Sequence, residues 1–307
     1  MIRLSNQQIT EMEENAYRIR ELAVRMICVG HWGHLGGSLS LAEVLSVLYG
    51  SFVNIDPANP RDPSRDYVIL SKAHCSPALY AALAVKGMIP TESLDSYCAI
   101  DGLDGHLHQE TTPGVESCGG SLGIGLSYAV GLALAMKKQE RFAQRAYCII
   151  GDGELSEGEI WEAAMSAAQY RLDNLIAVLD YNKVMAKGFI YNEMSQEPIV
   201  ERFRAFGWSI IEADGHDVDD LYQAFHKAKY ICVVGKPVLI VAHTVKGKGI
   251  TECEFNYRWH THAPDKKTAN GFLEELARKT GHEFMPIEQP IRAVYSLQDV
   301  VEGGVRS

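Results

Sequence analysis

Residues 151–183 read GDGELSEGEIWEAAMSAAQYRLDNLIAVLDYNK, with polar ends and a middle that patterns as one helix and one strand. Just before it, Tyr147, Cys148, Ile149 and Ile150 form the short apolar run of a buried parallel strand, and Gly151-Asp152-Gly153 turns the chain. Ile160, Ala163, Ala164, Ala167 and Ala168 then recur at helical spacing, and residues 175–179 form a second strand that leads into Asp180-Tyr181-Asn182. The pattern predicts a βαβ unit. Parallel strands need such a crossover, so Asp152 and Asn182 are expected on one edge of the sheet, where open α/β sheets bind ligands. A carboxylate, an amide oxygen and a nearby backbone carbonyl are hard ligands suited to magnesium or calcium, with positions left for phosphate oxygens. GDG alone reads more readily as an ordinary strand turn followed by an unrelated asparagine.

Outward from this unit, the chain alternates strand-like and helix-like segments. Ser5 and Gln8 form a candidate capping box for a first helix over residues 6–29, stopped by Gly30. A glycine-rich loop (31–37) leads to a helix over 41–49, a loop over 57–63, a strand over 67–70 and a helix over 77–86. Residues 101–121 are irregular and rich in Gly, His and Thr, a length that hints at function, before a helix over 122–138. Helices over 199–206 and 218–230 alternate with strands over 208–212 and 237–241, and a last helix starts near residue 268. The expected fold is α/β, a doubly wound, mainly parallel sheet with helices on both faces. Residues 1–270 are expected to form one domain, and residues 271–307 a carboxyl-terminal helix and tail.

The 307 residues are 47% apolar, ample for a buried core, and carry a formal net charge of -10 with no basic cluster. Nucleic acid and anionic membrane are thereby disfavoured as partners. The seven cysteines contain no CxxC pair and lie mostly in apolar segments, so reduced thiols are expected. There is no apolar leader at the amino terminus and no uninterrupted apolar run of about 18 residues, and a cytoplasmic location is expected.

Five of the eleven histidines occupy Gly-rich or post-strand positions: His34, His74, His106, His260 and His262. Converging imidazoles at a sheet edge can move protons or donate to phosphate and sugar hydroxyls, whereas each taken singly is compatible with a structural role.

The segment GDGELSEGEIWEAAMSAAQYRLDNLIAVLDYN resembles the thiamine diphosphate signature in its transketolase form, and the resemblance extends over residues 33–264 through separated motifs. It implies that Asp152 and Asn182 hold the metal by side chains and Val184 by its carbonyl, that Gly153 approaches the diphosphate, and that Glu157 sits at a subunit contact near the cofactor. GHLGGSLSLAEVL resembles SGHPGG, which makes His34 a donor-substrate contact. RDYVILSKAHCSPALY resembles RDRFVLSxGHGSxxLY and assigns His74 to the diphosphate side. GHLHQETTPGVESCGGSLGIG resembles GHPExxxTPGVExTTGPLGQG, with His106 as a substrate and cofactor contact and Gly120, Ser121 and Leu122 along the cofactor rings. TVKGKG followed by WHTHAP resembles TxKGKG and WHGxxP, carrying over Lys246 and His260. Leu35 and Leu107 replace prolines, Ala73 replaces a glycine, Gly37 lacks a hydroxyl found in some relatives, and Thr261-His262 blurs the last motif. His106 against His108, and His260 against His262, stay open, with the first of each pair favoured by its distance to the next motif.

The resemblance implies thiamine diphosphate with Mg2+ (Ca2+ or Mn2+ as substitutes) and transfer of a two-carbon ketol unit from a ketose phosphate to an aldose, with His34, His106 and His260 as proton-handling groups. It also implies a separate carboxyl-terminal subunit carrying the pyrimidine domain and its ylide-generating glutamate, in an α2β2 heterotetramer. Two alternatives accompany it: the same architecture acting on a branched or sulfonated sugar, and a noncatalytic assembly subunit of the same fold.

Overall fold

The capping box forms as expected: the Gln8 amide donates to Ser5 Oγ at 3.3 Å, and the Ser5 amide donates to Gln8 Oε1 at 3.0 Å. The structure, a computed structural model, describes residues 3–291. Helix α1 (Asn6–Gly30) runs through Gly30, and its left-handed cap is His31, at φ 51°. Two short helices, α2 (Leu35–Leu39) and α3 (Ala42–Val47), follow, with a widened π turn over Leu48–Phe52. The expected loop at 31–37 is therefore partly helical, and the expected helix at 41–49 is broken in two. Every residue of α2 is buried, so tertiary packing overrides the helix-breaking tendency of Gly36 and Gly37.

Strand β1 (Tyr67–Leu70) leads into α4 (Ser76–Val85), and the irregular segment closes with α5 (Ile124–Lys138). Then come β2 (Ala146–Gly151), α6 (Gly158–Gln169), β3 (Leu175–Tyr181), a single turn α7 (Ile190–Glu193), α8 (Ile199–Phe206), β4 (Ser209–Asp214), α9 (Val218–Tyr230), β5 (Val238–His243) and α10 (Lys266–Thr280). All strand pairs are parallel, in the order β1-β2-β3-β5-β4.

The central strands alternate between two cores, as the pleat requires. Tyr147, Ile149, Ile176, Val178, Val238 and Ile240 face α1, α3, α4 and α9. Cys148, Ile150, Ala177, Leu179, Leu239 and Val241 face α5, α6 and α8. This is the doubly wound sheet expected from the sequence. A third apolar cluster joins the far side of α1 to α10 through Val24, Ile27, Phe272 and Leu276. Residue 270 falls inside α10, and the part of the expected tail at 292–307 lies outside the described residues.

The loop after β1 leads to α4 on one face, and the loop after β2 leads to α6 on the other. Neighbouring strand ends that diverge in this way leave a crevice between them.

Candidate active site

Register places the acidic groups of the crevice. Gly151 pairs with Asp180 and Asp180 with Ala242, so the last residues of β2, β3 and β5 lie side by side. The turn after β2 swings Asp152 inward, where its Oδ1 accepts from the Gly153 amide at 2.7 Å and its Oδ2 from the Lys183 amide. Asp180, two residues before Asn182 and so on the same face of the strand, is fully buried. It accepts from Lys72 Nζ, from Thr244 Oγ1 and, at 2.7 Å, from Ser40 Oγ.

Charge follows from these contacts. Burial alone would lower the Lys72 pKa, but the Asp180 carboxylate outweighs it and raises it; in return Lys72 holds Asp180 ionised against its own burial. Asp152 forms no ion pair among the described residues, and burial with the nearby Asp180 charge pushes its pKa up to about 7. Because Asp180 is an acceptor, Asn182 turns its Nδ2 toward it at 2.8 Å. The Asn182 amide oxygen is thereby directed away, to the Val184 amide at 3.1 Å.

Lys246, 2% exposed, enters from the loop after β5 and donates to the Val184 carbonyl at 2.8 Å and the Met185 carbonyl at 3.1 Å. Its Nζ is also 2.9 Å from His260 Nδ1. Burial lowers its pKa to about 8.

Around this floor stand the imidazoles. His34 lies 4.8 Å from His74, 6.2 Å from His106 and 5.1 Å from His260, centroid to centroid. Burial lowers His34 to about 4 and His260 to about 3, with nearby cationic groups adding to the effect, and drives His74 well down too. These three rings are neutral at pH 7, each with one N–H and one lone pair to offer. Among the described residues His34 Nδ1 is buried without a hydrogen-bond partner, which leaves it open to a ligand.

The crevice enclosed by these groups has a volume of about 300 Å³. His34, His74, His106, Gly120, Leu122, Asp152, Gly153, Asn182, Val184, Lys246 and His260 line it. Ser121 is exposed beside it, and Glu157 is exposed outside it at the start of α6. His106 and His260 are the members of their pairs that reach the crevice; His108 is exposed and His262 packs edge-on to Trp259. A wider groove of about 660 Å³, lined by His31, Trp32 and His108 among others, adjoins it at His106.

Lys72, Glu154 and Asp180 were not among the expected site residues. Glu154 is 2% exposed and accepts from Ser71 Oγ, the Gly123 amide at 2.8 Å and the Gly151 amide at 3.0 Å, tying the ends of β1 and β2 to the start of α5. An acid at the end of the apolar run LIAVLD, and a lysine two residues before a motif histidine, were the available signals.

Among the described residues no three His, Cys, Asp or Glu side chains gather as a metal site. The donors at hand for a metal, from Asp152, Asn182 and Val184, are all oxygens, a set that suits a hard divalent ion completed by ligand oxygens. The lysines and the neutral imidazoles suit an anionic, hydrogen-bonding ligand beside it. Residues 12–289 match the family described as "Transketolase, thiamine diphosphate binding domain".

The chain belongs to the transketolase family.

Its similarity is to two kinds of transketolase. It is 45% identical to the 6-deoxy-6-sulfo-D-fructose transketolase subunit SqwG of Clostridium sp. (strain MSTE9), over 90% of this chain and 99% of that protein. It is 36% identical to an apulose-4-phosphate transketolase subunit of Phocaeicola vulgatus, over 92% of this chain and 98% of that protein. The transketolase of Campylobacter jejuni superposes with a TM-score of 0.83 at 30% identity, covering 94% of this chain and 45% of that one. The chain thus spans less than half the length of the solved transketolases it resembles. The enzyme class expected from the sequence, a transketolase subunit, is the one named for the relatives that the chain matches over nearly their whole length.

Proposed function

We propose that this chain is the diphosphate-binding subunit of a two-chain transketolase that carries a two-carbon ketol unit from a ketose to an aldehyde acceptor. The observation that carries the proposal is the crevice itself: an oxygen-donor edge at Asp152 and Asn182, two buried lysines and a ring of histidines in one cavity.

When bound, thiamine diphosphate supplies the carbanion and electron sink for carbon–carbon cleavage. The rest falls to the chain. Ionised Asp152 and the Asn182 oxygen would hold Mg2+, with Ca2+ or Mn2+ as substitutes, and Val184 would add its carbonyl. An ammonium and a divalent cation repel on one carbonyl oxygen, so Lys246 would leave Val184 for the diphosphate. Gly153 offers its amide edge, and His74 a neutral imidazole, to the same group. Gly120, Ser121 and Leu122 would lie along the cofactor rings. His34, His106 and His260 would bind the sugar hydroxyls and pass protons between hydroxyl and carbonyl oxygens; a neutral ring can take a proton at one nitrogen while donating from the other. Glu157, exposed at the start of α6, fits a contact with a second subunit near the cofactor.

A separate subunit with the pyrimidine domain, in an α2β2 heterotetramer, is proposed because the relatives matched over nearly their whole length are named as subunits. Those names also favour a second reading of the substrate, a modified sugar such as a sulfonated or branched one in place of a pentose phosphate. We place the protein in the cytoplasm, a reading supported by the buried, unpaired thiols of Cys28, Cys75, Cys148 and Cys253; cell fractionation tests it. The functional test is co-purification with the partner chain and a screen of ketose donors and aldehyde acceptors. Ketol transfer dependent on both chains and on thiamine diphosphate is expected, and a complex that binds the cofactor but transfers nothing from any ketose would support the noncatalytic alternative instead.

A further inference from the structure

His216 lies outside the crevice, in the loop between β4 and α9, yet its imidazole is engaged at both nitrogens. The Val245 amide donates to Nε2 at 2.8 Å, and since a backbone N–H can only donate, Nε2 carries the lone pair. The ring proton therefore sits on Nδ1, 2.9 Å from Glu43 Oε2, to which it donates. Glu43 is 8% exposed and paired with Arg20, which also donates to the Leu39 carbonyl at 3.2 Å. The Glu43–Arg20 end of this chain of contacts is buried.

Val245 immediately precedes Lys246. Nearby, the Gly215 amide donates to the His243 carbonyl at 2.9 Å, and a Cβ on Gly215 would come within 2.3 Å of Thr244 Cγ2. Only glycine allows the β4 loop this close to the residues after β5. Two bonds, Gly215 to His243 and Val245 to His216, thus staple the segment that delivers Lys246. A lysine carries a flexible four-carbon stem, so where its backbone is held decides where its ammonium can reach.

We propose that His216 is a positioning residue for Lys246. Glu43, held by Arg20, selects the Nδ1–H tautomer of His216, and the free Nε2 then fixes the Val245 amide so that Lys246 enters the crevice against Val184, Met185 and His260. The inference rests on the reading of Lys246 as a diphosphate contact and extends it to a residue no motif marked.

Two substitutions separate the halves of the relay. His216→Gln can present a carbonyl oxygen where Nε2 stood, and His216→Asn can present an N–H where Nδ1 stood. Amide hydrogen exchange at Val245 and Lys246, measured on the chain without cofactor, is expected to stay slow in His216→Gln and to quicken in His216→Asn. In the reconstituted complex, His216→Asn is expected to weaken thiamine diphosphate binding about tenfold with the sugar KM unchanged, and His216→Gln to stay within about threefold of wild type. Wild-type exchange and affinity in His216→Asn would overturn the proposal, as would losses in both variants that merely track a lower melting temperature. Lys246→Ala serves as the control: if it binds the cofactor like wild type, the reading of Lys246 fails, an outcome distinguishable because exchange at Val245 is read with no cofactor present.

Discussion

Asp152 and Asp180 bring two carboxylates to adjacent strand ends, and their surroundings treat them differently. Asp180 has Lys72 and stays ionised; Asp152 has two backbone amides and a pKa of about 7. As the proposed metal ligand, Asp152 would be taken up in its ionised form, so metal-dependent cofactor binding should release a proton. Affinity is then expected to be full above pH 7 and to fall about tenfold per unit well below it, checked by thiamine diphosphate titrations with Mg2+ between pH 5.5 and 8. Asp152→Asn should flatten that profile. Lys72→Met leaves Asp180 buried without its cation and is expected to cost about 3 kcal/mol in urea unfolding. Much of this site was legible in the sequence. Asp152 and Asn182 sit where strands end, and the four crevice histidines sit in motifs that mark them. Lys72 and Asp180 were not legible, because each compensates the other across distant segments and neither has a pattern of its own.

Elements were read well where one periodicity dominated. The strand at 67–70 and the helices Ile199–Phe206 and Val218–Tyr230 fall at their expected bounds, since a short apolar run or an amphipathic face marks each of them. The segment 31–52 was misread because its helices are held by burial on all sides, which leaves no polar face to mark their phase. Two element-scale expectations follow from packing. Phe225 of α9 is fully buried against Phe52 and Tyr147, so Phe225→Ala is expected to lose about 4 kcal/mol, measured by chemical denaturation. Glu43 joins α3 to α1 and to the β4 loop; burial would raise its pKa, but Arg20 and His216 outweigh that and lower it from 4.5 to about 2. A depressed carboxylate stabilises the fold above its unfolded pKa and loses that contribution as pH falls through its folded one. About 3 kcal/mol should therefore disappear between pH 4.5 and 2, and Glu43→Gln should remove most of this acid dependence.

At the scale of the whole molecule, the sheet order β1-β2-β3-β5-β4 turns separated motifs into one site, because loops that leave β1 and β2 toward opposite faces open a crevice that the other strand ends complete. The doubly wound class was legible from the alternation of elements, whereas the strand order was not, since local periodicity carries no information on which parallel strand lies beside which. The proposed function assigns the crevice to a diphosphate, a metal and sugar hydroxyls, and leaves activation of the cofactor's ring to a second subunit. The most direct test is ketol transfer from a ketose donor, measured for this chain alone, for its partner alone and for the two together with thiamine diphosphate and Mg2+. Transfer by the mixture only is expected, abolished by Asp152→Ala together with metal-dependent cofactor binding. Robust transfer by this chain alone, or unchanged binding and turnover in the Asp152→Ala complex, would contradict the proposed function.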